Sequence, residues 1–195
     1  MKDSENPSYN PYVELAKAAI RAYVERGAKF SLTTGGGAGS GDCYDYSPLF
    51  DEHAGAFVSI KKRGALRGCI GTIAPVRENL AEEIIDNAIS ACSRDPRFDP
   101  VAREELGDLT VSVDVLFEAE PIDSLKELDV KRYGVIVSKG YRRGLLLPNL
   151  EGVDSVEEQL QIALSKAGIR PSERYDIERF EVVRHELGGY MGVSS

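Results

Sequence analysis

Two tight glycine turns constrain this chain more than any other feature. Arg63-Gly64-Ala65 separates the apolar, β-prone runs 57–62 and 66–73, and Lys139-Gly140-Tyr141 separates 134–138 from 143–147. Each set reads as a β-hairpin. Pro75 and Pro148 close the two blocks, because proline cannot donate to a strand ladder. A hairpin joins antiparallel neighbours, whereas a parallel βαβ series needs a crossover between paired strands. A doubly wound parallel sheet is therefore excluded.

Helical patterns surround the hairpins. Asn10 as N-cap, Pro11 at the first position and Gly27 as a stop bound a helix over 11–26, with Tyr12, Ala16, Ala19, Ile20 and Tyr23 on one face. A second helix is expected from about Arg77 to Ser93, where Leu80, Ile84, Ala88 and Cys92 recur four apart. A short helix is expected over 100–106. Ser155 and Glu158 form a capping box ahead of a third helix that Gly168 ends. Residues 109–119 alternate: Val111, Val113, Val115 and Phe117 face one way, Thr110, Ser112, Asp114 and Glu118 the other, with Leu116 the exception. A final strand spans 175–185, with a phase slip between Ile177 and Phe180 that suggests a bulge. No internal repeat of useful period is visible. The expected class is α+β, an antiparallel or mixed sheet with packed helices.

At 195 residues the chain makes one domain, or one domain with two lobes. No apolar run approaches the ~18 residues that cross a bilayer. The first 30 residues carry charges throughout, so no secretory leader is expected. A net charge of −8 opposes a general grip on nucleic acid. Three cysteines, at 43, 69 and 92, make no disulfide framework and point to a reducing cytoplasm. Two histidines and no CxxC pair give no metal site, and no cofactor is indicated. Flexible ends are expected at 1–10 and 188–195, around a domain at 11–187 with a mobile glycine-rich loop at 33–42.

The segment Leu66-Arg67-Gly68-Cys69-Ile70-Gly71-Thr72 is the most unusual. Two glycines within a strand mark a bulge, or the close approach of another backbone or a ligand. Arg67 sits two residues before Cys69, on the same face of an extended chain, where a guanidinium favours thiolate. Cys69 is thus the candidate nucleophile or ligand contact and Arg67 its support, with His53 or His185 as candidate bases. The competing reading is a tightly packed strand with an inert thiol. A second cluster, Arg94-Asp95-Pro96-Arg97-Phe98, follows the second helix. Arg94, Asp95 and Arg97 can clamp an anion, since guanidinium forks match carboxylate and phosphate. They can equally cap a helix and fill a gap. Cys92 reads as a small core residue.

The segment from Leu66 to Thr72 resembles the signature of the AMMECR domain family. Phe57-Val58-Ser59-Ile60-Lys61-Lys62, Asp95-Pro96-Arg97-Phe98, Gly144-Leu145-Leu146-Leu147-Pro148 and Lys166-Ala167-Gly168-Ile169 match in the same order, over roughly residues 11–186. The chain is similar to protein A of the AmmeMemoRadiSam system. The resemblance implies a two-lobed α+β domain with a cleft that Arg67 to Gly71 line or support. It implies a cytosolic protein acting beside Memo-type and radical SAM partners. It implies no particular reaction. Asn149-Leu150 departs from the family's usual Gln and Val after Pro148, and the loop at 33–42 is idiosyncratic.

Three functions compete. One is an enzyme or accessory subunit that binds a small anionic substrate, with Cys69 and Arg67 at the reacting centre and Gly68, Gly71, Arg94, Asp95 and Arg97 around the ligand. Another is an interaction module without chemistry, whose glycines shape a groove for a peptide. The last is the handling of modified RNA, which the net charge disfavours.

Overall fold

The computed structural model describes residues 9–32 and 45–187. Residues 1–8, the glycine-rich loop with Cys43, and the tail from 188 lie outside the described residues. The chain divides into two compact units, one of residues up to Val115 and from Arg184 onward, the other of Leu116–Val183.

The first unit opens with helix α1, Pro11–Arg26, whose Asn10 carboxamide accepts the N–H groups of Tyr12 and Val13. Gly27 ends it at φ 66, a left-handed conformation that costs glycine little. Strands β1, Gly55–Lys62, and β2, Ala65–Gly71, form the first expected hairpin. Ile60 pairs with Gly68 but Lys61 pairs with Leu66, so Arg67 is the extra residue of a bulge. Helix α2, Leu80–Ser93, packs on this hairpin, and α1 packs on α2. Strand β3, Leu109–Leu116, lies beside β1, in the order β2-β1-β3. Ala56, Val58, Ile60, Val111 and Val113 meet Ile84, Ala88 and Cys92 in the core. The expected short helix before β3 is a 3-10 turn, Arg103–Asp108.

Helix α2 starts three residues later than its periodicity suggests. The buried Glu83 carboxylate accepts the N–H groups of Val76 and Arg77 and the Thr72 hydroxyl, and this fixes the lead-in as a loop. Asn79 is then the N-cap, accepting the Glu82 N–H.

The second unit holds β4, Glu120–Pro121, and the second expected hairpin, β5, Tyr133–Lys139, with β6, Arg142–Leu146. Helix α3, Val156–Ala167, begins on the Ser155–Glu158 capping box and ends at Gly168. Strand β7, Asp176–Glu186, pairs antiparallel with β4 and β5, and its last residues belong to the first unit. The expected bulge between Ile177 and Phe180 is absent, because the register with β5 is unbroken from Asp176 to Glu181. The phase slip arises instead from burial: only Phe180 is fully buried, lying against Gly134, whose missing Cβ makes room for the ring. Val135, Val137, Leu146, Leu160 and Leu164 form this unit's core. Asn149, the departure after Pro148, sits at φ 53, which asparagine tolerates better than most residues.

The two units repeat one connectivity that the sequence does not reveal. Each runs hairpin, helix, strand, with the first hairpin strand central: β2-β1-β3 and β6-β5-β7. Each places an Arg-Gly pair, Arg67-Gly68 and Arg143-Gly144, where the helix backbone meets the strand. A Cβ on Gly68 would strike the Ala91 carbonyl of α2, and one on Gly144 the Ala163 carbonyl of α3. The fold is α+β, as expected. Among the described residues, no helix is long and apolar enough to cross a membrane.

Candidate functional site

Strand β2 lies at the edge of the sheet, so half its peptide groups lack a neighbouring strand. At Cys69 the turn after α2 replaces that neighbour. The Cys69 N–H donates to Asp95 Oδ2 at 2.9 Å, and Arg97 Nη2 donates to the Cys69 carbonyl at 3.3 Å. Asp95 also accepts Arg97 Nε at 2.9 Å and Nη2 at 2.7 Å, as well as the Arg97 N–H. Asp95 is buried, whereas the Arg97 side chain is 54% exposed and passes over the Phe98 ring. The Arg97 guanidinium, helped by the N–H groups of Cys69 and Arg97 and opposed by burial, holds the Asp95 carboxyl well below the usual carboxylate range. Cys69 and the Asp95–Arg97 turn are separate clusters in the sequence, and the structure brings the Cys69 backbone, Asp95 and Arg97 into hydrogen-bonded contact.

Arg67 is engaged elsewhere. Its Nε and Nη2 grip Glu105 at 3.1 and 2.8 Å, and its terminal nitrogens donate to the Asp99 and Pro100 carbonyls. The bulge turns it out of the simple two-residue alternation, and it braces β2 against the 3-10 turn. The Arg67 guanidinium, then Lys62 and the Ala102 N–H, pull the Glu105 carboxyl down to about 2, against burial. Gly68 faces α2 and Gly71 lies under the Phe57 ring, where a Cβ would collide. Both glycines thus admit protein atoms. Arg94 is the exposed C-cap of α2, and its charge is felt by Cys92. Cys92 itself is buried, which pushes its thiol up to about 11.

Neither candidate base lies in a described contact with Cys69. His53 is exposed. His185 stacks on Tyr12 with ring centroids 3.7 Å apart, and its Nδ1 lies 3.2 Å from the Asn10 carboxamide. Burial pushes the His185 imidazole below its ordinary value.

The structure adds three residues that sequence reasoning missed. Ser59, opposite Cys69 on β1, donates its hydroxyl to Sγ at 3.3 Å. Asp114, expected on the wet face of β3, is buried and grips Arg184, with Nε to Oδ1 at 2.7 Å and Nη2 to Oδ2 at 2.9 Å. An aspartate flanked by valines on a half-buried strand signals a buried partner, but nothing local identifies one 70 residues away. Among the described residues, no group of three or more His, Cys, Asp or Glu is placed to hold a metal ion.

The AMMECR1 family model matches residues 13–185. A protein of Thermotoga maritima is 51% identical over 180 residues, covering 91% of this chain and 98% of that protein. A protein of Clostridium acetobutylicum is 51% identical over 184 residues, 94% of this chain, and the chain spans 37% of that protein's length. Among solved structures, an uncharacterized protein from Pyrococcus horikoshii matches with a TM-score of 0.79 at 33% identity, covering 93% of this chain and 92% of that one.

Proposed function

Because this chain belongs to the AMMECR1 family, we propose that it binds a small anionic substrate beside Cys69 and acts as an enzyme, or an accessory subunit of one, with Memo-type and radical SAM partners in the cytoplasm. The partners and the compartment come from the family resemblance and the cysteine pattern. The binding reading comes from the site. One observation carries it: Arg97 is fixed by a buried aspartate against the Cys69 backbone, yet half its side chain faces solvent. A guanidinium so held is pre-organised to donate to a carboxylate or phosphate at little further cost in side-chain entropy. The supporting charge that the sequence assigned to Arg67 falls to Arg97, because Glu105 occupies Arg67.

The same geometry argues against the non-catalytic docking of a peptide strand at Cys69. Strand addition needs free N–H and C=O groups on the edge, and here Asp95 and Arg97 take both. The RNA-handling alternative gains no comparable feature, and a net charge of −8 opposes it.

Competitive alkylation tests the binding reading. Iodoacetate carries a carboxylate and iodoacetamide does not, so their rate ratio at Cys69 reports an anion-attracting site. The ratio should exceed that of a small free thiol and fall about threefold or more in Arg97→Gln, as loss of a fixed charge near the sulfur predicts. Equal ratios in the two proteins would sink the reading. Co-purification with the Memo-type and radical SAM proteins tests the partners, and no association with either removes them.

A further inference from the structure

Strand β6 ends the sheet order opposite β2, and Leu145 holds in it the place that Cys69 holds in β2, one residue after the Arg-Gly pair. In an antiparallel pair, alternate residues turn their N–H and C=O groups away from the partner strand. Leu145 is one of these, since its carbonyl accepts Lys166 Nζ at 3.3 Å, and Arg143, two residues earlier, turns the same way. Lys166 therefore stands where Arg97 stands at Cys69. Nothing stands where Asp95 does: among the described residues, neither the Arg143 nor the Leu145 N–H donates outside the hairpin. A buried carboxylate and a fixed guanidinium close the β2 edge at Cys69, whereas one exposed lysine screens the β6 edge.

The head of this open edge is basic. Lys139 Nζ and Arg142 Nη2 both meet Glu173 Oε2, at 2.7 and 2.9 Å, and Arg170 Nε lies 3.6 Å from Oε1. Three cations share one carboxylate, so two positive charges stay uncompensated in that cluster, on a chain of net charge −8. Tyr141, between Lys139 and Arg142 at the hairpin turn, is 98% exposed, and the Arg170 side chain is 83% exposed. Neither gains stability from packing. Blunting of an edge strand accounts for the cations but not for a bare tyrosine. Tyrosine and arginine are the side chains that contribute most once a partner covers them.

We propose that β6 is a docking edge for an extended acidic segment of a protein partner, added as a strand along 142–146. Its backbone supplies an acceptor for the Leu145 N–H, which is how an exposed edge recruits a peptide. Its carboxylates meet the Lys139–Arg142–Arg170 cluster and Lys166, which swings off the Leu145 carbonyl, and an apolar side chain covers Tyr141. A nucleic acid would suit the cations and the tyrosine but has no regular series of donors and acceptors to match a strand edge. The surface is independent of the reading of Cys69.

The probe is a fluorescein-labelled peptide of alternating valine and glutamate, about eight residues long so that it outspans a typical strand, with the valine–lysine peptide as control. Fluorescence anisotropy should show saturable binding of the acidic peptide alone, weakening as salt rises. Amide exchange at Arg143 and Leu145 should slow in the complex, while exchange at Cys69 stays unchanged. Tyr141→Ala should weaken binding about fivefold or more, the size of an interface hot spot, and Lys166→Gln/Arg170→Gln should weaken it further at low salt than at high salt. All three side chains are exposed, so a melting temperature equal to that of the wild type is expected and reports an intact fold. Failure of the acidic peptide to saturate overturns the proposal, as does binding that both variants leave unchanged. Binding without slowed exchange at Arg143 and Leu145 overturns strand addition. Binding of oligouridylate through Tyr141 in place of the peptide, or self-association of the wild type that Tyr141→Ala abolishes, overturns the choice of an acidic peptide as occupant. None of these outcomes bears on the iodoacetate preference at Cys69.

Discussion

Asp95 makes the most demanding set of contacts of any single residue in the site. One carboxylate replaces a missing strand neighbour at Cys69 and holds Arg97 in place. Asp95→Asn keeps the shape but loses the charge and mismatches donors, and should destabilise the protein by about 1.5–3 kcal/mol, the range for hydrogen bonds to charged groups. Urea unfolding measures the loss, and the same variant should abolish the iodoacetate preference at Cys69. Glu105 makes a pH prediction. Its folded value of about 2 lies below an unfolded value of about 4.3. Its contribution is therefore fully present above about pH 4.3 and is lost as pH falls toward 2. Unfolding of Glu105→Gln should show a flatter pH dependence across that window than the wild type. The sequence shows Asp95 and Arg97 side by side because they are local to one turn. It misassigned the Arg67 environment because the bulge that redirects Arg67 depends on pairing with β1.

At the scale of elements, close helix–strand contact at a glycine is the recurring device. Gly68→Ala would drive a Cβ into the Ala91 carbonyl of α2, and the main chain there cannot give way as a side chain could. The expected cost is about 1–3 kcal/mol or more. Gly107→Ala meets nothing within 4 Å and should stay within about 0.5 kcal/mol of the wild type. Thermal melts of the pair separate packing from a general dislike of alanine. The helix caps and both hairpins were legible because Asn10, Ser155, Gly27, Gly168 and the turn glycines act through their nearest neighbours. The start of α2 was not, since Glu83 holds residues 76 and 77 by side-chain contacts that helical periodicity ignores.

On the scale of the whole molecule, the first unit is interrupted by the second and closed by the returning end of β7. His185 makes that closure, stacking on Tyr12 and bonding Asn10 across 175 residues of sequence. Tyr12 in turn donates its hydroxyl to Glu52 at 3.0 Å, and burial followed by that carboxylate pushes the phenol up to about 12. The His185 value is depressed by burial, against the opposing charges of Glu52 and Asp114. A depressed folded value means that the neutral ring is favoured, so this stability is present above about pH 6.5 and declines as pH falls. His185→Phe keeps a stacking ring that cannot titrate, and should lose less stability than the wild type between pH 7 and pH 5 in parallel denaturation series.

What the sequence by itself determined were the properties that act over a few residues: the α+β class, the caps, both hairpins, the glycine-flanked cysteine and the Asp95–Arg97 turn. The pairing of Arg184 with Asp114, the capture of Arg67 by Glu105 and the repeated connectivity of the two units were decided only by tertiary structure. The physical reason is that a charge on a strand announces its need for a partner locally, while the partner is chosen by which strands and turns fold against it.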